Sequence, residues 1–169
     1  LHLGITSLTQ DMAQVLSAHS DYLDLLGVKE IEKASLDAVL RKKGGLALSL
    51  AVISPDTAAL LAGFRGDLVL NNASLPKEAE LLLAKSEANS LRLPNLKELK
   101  TAELAQRLVE SRAKNGSFDF FWPGAPENGW NLAIEDVSLD IAEQLKAFRG
   151  VLKLPAIDRV SNEVAETLS

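Results

Sequence analysis

The chain has 169 residues, 47% of them hydrophobic and only 5% aromatic, with a formal net charge of −5 and no cysteine. Absence of cysteine excludes disulfides and thiolate zinc sites, and the scattered positive charges, such as Arg41-Lys42-Lys43 and Arg149, form no basic face to collect phosphates, so no nucleic-acid partner is expected. No apolar run approaches the ~18 residues needed to span a bilayer; the apolar stretch from Gly45 to Ile53 reads as a strand crossing a core.

Leucine supplies nearly one residue in five and returns as a Leu-x-Leu pair about every 20–25 residues. In chain order the pairs are Leu1/Leu3, Leu23/Leu25, Leu48/Leu50, Leu68/Leu70, Leu91/Leu93, Leu132/Ile134 and Leu152/Leu154. Each alternates in and out as a half-buried strand does. Between them lie helix starts: Thr9, Ser35, Ser54, Thr101, Ser138 and Ser161, each followed two residues later by Asp or Glu. A hydroxyl there accepts an orphan backbone N–H, and the acid favours the positive helix end. Leu75-Pro76 holds the equivalent place without a hydroxyl, which predicts a weaker start.

Four residues after the cap comes Ala13, Ala58, Ala79, Ala105, Ala142 or Ala165, and seven after it Leu16, Leu61, Leu82, Leu108, Leu145 or Leu168. That three-residue step puts both on one helix face, which turns inward. The second repeat departs, with Val39 and Lys42 in those places. Gly66 is expected as a left-handed residue ending its helix, and Gly44-Gly45 as a helix stop.

A helix of about ten residues between strands forces parallel pairing, and parallel crossovers are right-handed. A repeat at this period predicts a stacked solenoid. Leu91-x-Leu93-x-x-Leu96-x-x-Leu99 and Leu152-x-Leu154-x-x-Ile157-x-x-Val160, each followed by a capped helix, resemble the leucine-rich repeat family. The resemblance covers residues 1–169 as about seven repeats. It implies an α/β, right-handed leucine-rich repeat solenoid with parallel strands on the concave side and helices on the convex side. Most members place Asn or Cys five residues after the first strand Leu, forming a hydrogen-bonded ladder. Here that position holds Thr6, Val28, Ile53, Ala73, Leu96, Val137 and Ile157, so the chain is similar to irregular, short-period bacterial repeats. Neither end reads as a polar cap, which makes a piece of a longer protein, and self-association through uncapped ends, the expectation.

From Thr101 to Leu132 the chain spends 31 residues where about 14 suffice elsewhere. The excess, near 113–131, holds both tryptophans and three of the five phenylalanines. Two readings stand: a recognition loop on a rigid scaffold, or a degenerate repeat with a strand at Phe118-x-Phe120 whose aromatics fill a missing helix. The second candidate surface is the outward strand row: His2, Asp24, Ser49, Val69, Arg92, Ala133 and Lys153, flanked by Tyr22, Asp67, Asn71, Ser90, Asn131 and Glu135. Its mixed polarity suits a protein or peptide. Phe121, Trp122 and Trp130 are the expected apolar anchors, Asp24, Arg92 and Lys153 the polar contacts, with Tyr22 beside them. No catalytic constellation, metal site or cofactor is expected. His19 reads as a packed helix-end residue, and His2 as solvated and unpaired. The leading expectation is a non-catalytic protein- or peptide-binding scaffold. The alternatives are a regulatory or recognition arm of an enzyme whose catalytic part lies elsewhere, and a purely structural segment.

Overall fold

The computed structural model describes residues 1–115, 130–149 and 151–169, with 112–115, 130 and 131 described by their backbone. Phe118, Phe120, Phe121 and Trp122 lie outside the described residues. Helices and strands alternate: α1 (Gln10–Ser17), β1 (Leu23–Leu25), α2 (Lys33–Val39), β2 (Leu46–Leu48), α3 (Pro55–Ala62), β3 (Asp67–Leu70), α4 (Lys77–Leu83), β4 (Ser90–Arg92), α5 (Ala102–Asn115), β5 (Trp130–Asn131), α6 (Leu139–Leu145), β6 (Leu152–Lys153) and α7 (Asn162–Leu168). β1 to β4 form a parallel sheet in chain order, and β5 pairs with β6 in a second, also parallel. Successive helices pack on one another from α1 to α7. No helix among the described residues is long and apolar enough to cross a membrane.

The strand leucines make the core. Leu23, Leu46 and Leu68 share one register row, Leu25, Leu48 and Leu70 the next, and all six are fully buried. Burial of each such side chain is worth ~1.5–3 kcal/mol.

Register corrects the expected strand at Leu48/Leu50: β2 lies two residues earlier. Leu46-Ala47-Leu48-Ser49-Leu50 alternates throughout, so two placements satisfy the pattern. Pairing selects the first, with Leu23 opposite Leu46. Leu50 remains buried in the following loop, where its carbonyl accepts from Asn72 Nδ2 at 2.6 Å. The expected pair Leu132/Ile134 is shifted likewise, because Trp130 pairs with Leu152. Trp130 is therefore a strand residue. α5 also runs three residues into the expected insertion, to Asn115.

Local capping chemistry holds at Thr9, Ser54 and Ser161, which accept from Met12, Thr57 and Val164 N–H. Ser138 sits at its cap position without that bond. Ser35 is not a cap. α2 starts at Lys33 behind Glu32, and Ser35 is buried inside the helix. The earlier start places Leu36 and Val39 four and seven residues after the cap, both buried, so the second repeat obeys the inward pattern after all. Starting at Ser35 would have aimed Lys42 into that apolar row, at a large desolvation cost.

Beyond the helix, Lys42 Nζ instead donates to the carbonyls of Asp21 (2.8 Å), Lys43 (2.6 Å) and Gly45 (2.8 Å). For α4 the cap is Pro76, and the residue four later is Glu80, fully buried where other helices place Ala or Leu. In α7 the inward residue is Val164, while Ala165 is exposed.

Gly44-Gly45 is not the helix stop: α2 ends at Val39 with Leu40 as its C-cap, and Gly44, with φ +82°, is a left-handed residue in the turn before β2. Gly66 is not left-handed. It is needed for close approach, since a Cβ there would lie 1.8 Å from the Gly44 carbonyl oxygen.

Candidate functional site

Parallel register lines up His2, Asp24, Ala47, Val69 and Arg92 on the sheet face opposite the leucines. Ala47 replaces the expected Ser49, and Asn131, in register with Lys153, replaces Ala133. Both changes follow from the two-residue strand shifts. Strands stand ~4.8 Å apart, so Asp24 and Arg92, three strands apart, are separated by roughly 14 Å at the backbone.

The row is drier than a solvated polar face. Ala47 and Val69 are buried, as is Ser90 beside them, while Tyr22, Asp24, Asp67 and Arg92 are half-buried. The Tyr22 ring lies against Gly45, where a Cβ would come within 2.3 Å of Cδ2. Removal from water pushes the Tyr22 hydroxyl up to about 12; Asp24 adds to the rise, Arg92 opposes it and Asp67 adds further. Tyr22, Asp24, Asp67 and Arg92 thus form one electrostatic neighbourhood.

Asp24 corrects the reading of His2 as unpaired. Its Oδ2 lies 2.7 Å from His2 Nδ1, while Oδ1 accepts from Leu26 N–H at 3.0 Å. Arg92 Nε donates to Ser90 Oγ at 3.4 Å. Along the strand ends runs a second polar row. Lys29 Nζ donates to Ser49 Oγ at 3.0 Å, Ser49 Oγ to the Asn71 carbonyl at 3.4 Å, and Asn95 Nδ2 to Asn71 Oδ1 at 2.6 Å.

Of the expected contact residues, the structure brings together Tyr22, Asp24 and Arg92. Lys153 is exposed on β6 in the other sheet. Phe121 and Trp122 lie outside the described residues, and Trp130 is placed by its backbone in β5.

Three buried polar residues were not singled out from sequence as contact-makers, and each ties neighbouring units together. Lys42 is described above; burial lowers its ammonium below the ordinary lysine value, with Asp21 opposing. Arg107 donates to the carbonyls of Ser86 (3.2 Å) and Ala88 and to Ser111 Oγ. Glu80 Oε2 accepts from Lys100 N–H at 2.8 Å and from Thr101 Oγ at 3.0 Å, at the start of α5, while its Oε1 has no hydrogen-bond partner among the described residues. Burial holds the Glu80 carboxyl above the ordinary range, against those two hydrogen bonds and the Lys100 charge. The available signal was a charged residue at an inward helix position, as with Glu80.

On the helix side a groove of about 390 Å³ between α4 and α5 is lined by Leu81, Ala84, Lys85, Glu103, Gln106, Arg107 and Glu110. Its deepest cation, Arg107, is already committed to backbone carbonyls. No group of three His, Asp or Glu side chains among the described residues is placed to hold a metal ion.

Comparison of the chain with protein-family models, with curated proteins and with solved structures finds no match.

Proposed function

We propose that the chain is a right-handed leucine-rich repeat solenoid, concave on its strand side, that binds a protein or peptide segment along that side without catalysing a reaction. The observation that carries this reading is the half-buried neighbourhood of Tyr22, Asp24, Asp67 and Arg92. Parallel register repeats these side chains at fixed spacing on a rigid sheet, and partial desolvation strengthens each polar contact they offer. Acidic groups gather around Tyr22, and Arg92 supplies the opposite sign farther along. An extended segment with a basic residue facing Asp24 and Asp67 matches this pattern. Phe121, Trp122 and Trp130 belong to the proposal as apolar anchors, and Lys153 as an outlying polar contact. The net charge of −5 weighs against a polyanion.

The test uses random twelve-residue peptides displayed on phage, selected on the wild-type chain and counter-screened on the Asp24→Ala/Asp67→Ala double variant. Enriched peptides should carry Lys or Arg and lose at least tenfold in affinity for the variant. No enrichment, or equal capture by both proteins, sinks the reading.

A further inference from the structure

We infer that the strand face reads the main chain of its partner: Asn71 and Asn95 hold the N–H and carbonyl of one extended residue, so the partner is a segment whose backbone is not already paired. This rests on the reading of that face as a protein- or peptide-binding surface, and it narrows the class of partner.

Two adjacent asparagines beyond β3 serve different ends. Asn72 is buried, and its Nδ2 donates to the Leu50 carbonyl at 2.6 Å, tying one turn to the turn before it. Asn71 continues the outward alternation of Asp67 and Val69 and is half-buried. The turn is secured without its side chain, because Asn71 N–H donates to the Leu48 carbonyl and Lys97 N–H to the Ala73 carbonyl. The Asn71 amide instead meets the next unit, where Asn95 Nδ2 donates to Asn71 Oδ1 at 2.6 Å.

That single bond leaves a matched pair. A carboxamide carries one acceptor oxygen and an amino group with two hydrogens, and the bond uses the oxygen of Asn71 and one hydrogen of Asn95. Among the described residues nothing bonds the Asn71 amino group or the Asn95 side-chain oxygen. Exchanging N and O in both amides leaves the same outcome, one donor and one acceptor on adjacent side chains. In an extended chain each residue presents its N–H and C=O to one side, so the pair complements one residue of main chain. The pair is also held before any partner arrives: the Asn71 carbonyl accepts from Ser49 Oγ, which in turn accepts from Lys29 Nζ. Groups already in place lose less freedom on binding.

The remainder of the face leaves room for such a segment. Ala47 and Val69 are outward, small and buried, while Asp67 on one side and Ser49 and Asn71 on the other are only half-buried. Asp67 and Asn71 are four residues apart on nearly extended chain, ~13 Å. A Lys or Arg paired with Asp67 covers part of that span with its own side chain. The held residue therefore lies about two to four positions from the basic one.

Backbone esters test this directly. A basic peptide selected on the wild-type chain, and dependent on Asp24 and Asp67, is remade as a series in which one main-chain N–H at a time becomes an ester oxygen. Affinity is measured for wild type and for Asn95→Ala. One position, about two to four residues from the basic one, should lose roughly fivefold on wild type, and that loss should vanish on Asn95→Ala. The Asn95 side chain is exposed, so thermal melts of the variant should match wild type. Asn72→Ala should melt lower and, while folded, keep the position-specific loss. A series with no such position, or a loss that is the same on Asn95→Ala, overturns the inference, while the dependence on Asp24 and Asp67 leaves the binding surface standing. A selection that yields no such peptide overturns both.

Discussion

The units around β1 to β4 and the one around β6 carry one sequence pattern but bury it unequally. Leu23, Leu25, Leu46, Leu48, Leu68 and Leu70 are fully buried, whereas Leu152, Leu154, Ile157 and Leu168 are only partly so. The same leucine in the same row is dry when units stand on both sides and damp when one side is open. Burial here belongs to the stack of neighbours, not to the motif.

The largest expected effect tests that contrast directly. Leu68→Ala removes a fully buried side chain between two strands and should cost ~3–5 kcal/mol. Leu154→Ala, in the half-covered last unit, should cost about 1 kcal/mol, since less of its surface leaves water on folding. Urea denaturation of both variants gives the two values, and equal losses would break the comparison.

A smaller effect sits within the drier region, at Glu80. Burial raises its folded pKa, so above the ordinary value of 4.5 the folded chain keeps a proton that the unfolded chain releases. Stability from this group is therefore complete below about 4.5 and declines as pH rises through the raised value. Glu80→Gln should abolish that decline, and the difference in urea midpoint between wild type and variant should change across this window. Parallel curves would show that Glu80 stays ionised in the fold.

The smallest effect is spectroscopic. Tyr22 is the only tyrosine, so phenolate absorbance reports it alone, with an expected midpoint of about 12. Asp24→Asn should lower that midpoint and Arg92→Gln should raise it. A wild-type midpoint near the ordinary 10 would mean an open strand face around Tyr22.

What the sequence made legible was local. Thr9, Ser54 and Ser161 cap helices through a hydroxyl and an N–H three residues apart, and that spacing is visible in the string of residues. Ser35 has the same look but is overruled by burial of Leu36 and Val39, a decision taken by neighbouring units. The β2 register was ambiguous because Leu46, Leu48 and Leu50 all alternate, and only pairing with Leu23 resolves it. For the site, Tyr22, Asp24 and Arg92 were recognisable as strand-face residues from alternation alone. Their dryness was not, because it depends on how the Tyr22 ring lies over Gly45. The clamps made by Lys42, Arg107 and Glu80 left little trace, since most of their partners are backbone groups about 20 residues away.

The bonds that these residues make to the preceding unit share a direction. Lys42 reaches back to the Asp21 carbonyl, Asn72 to Leu50, Arg107 to Ser86 and Ala88, and the donors at Lys100 and Thr101 to Glu80. In each of these four cases the acceptor is made on the ribosome before its donor. A newly emerged turn of this protein must therefore keep its carbonyls hydrated until the next turn has been synthesised.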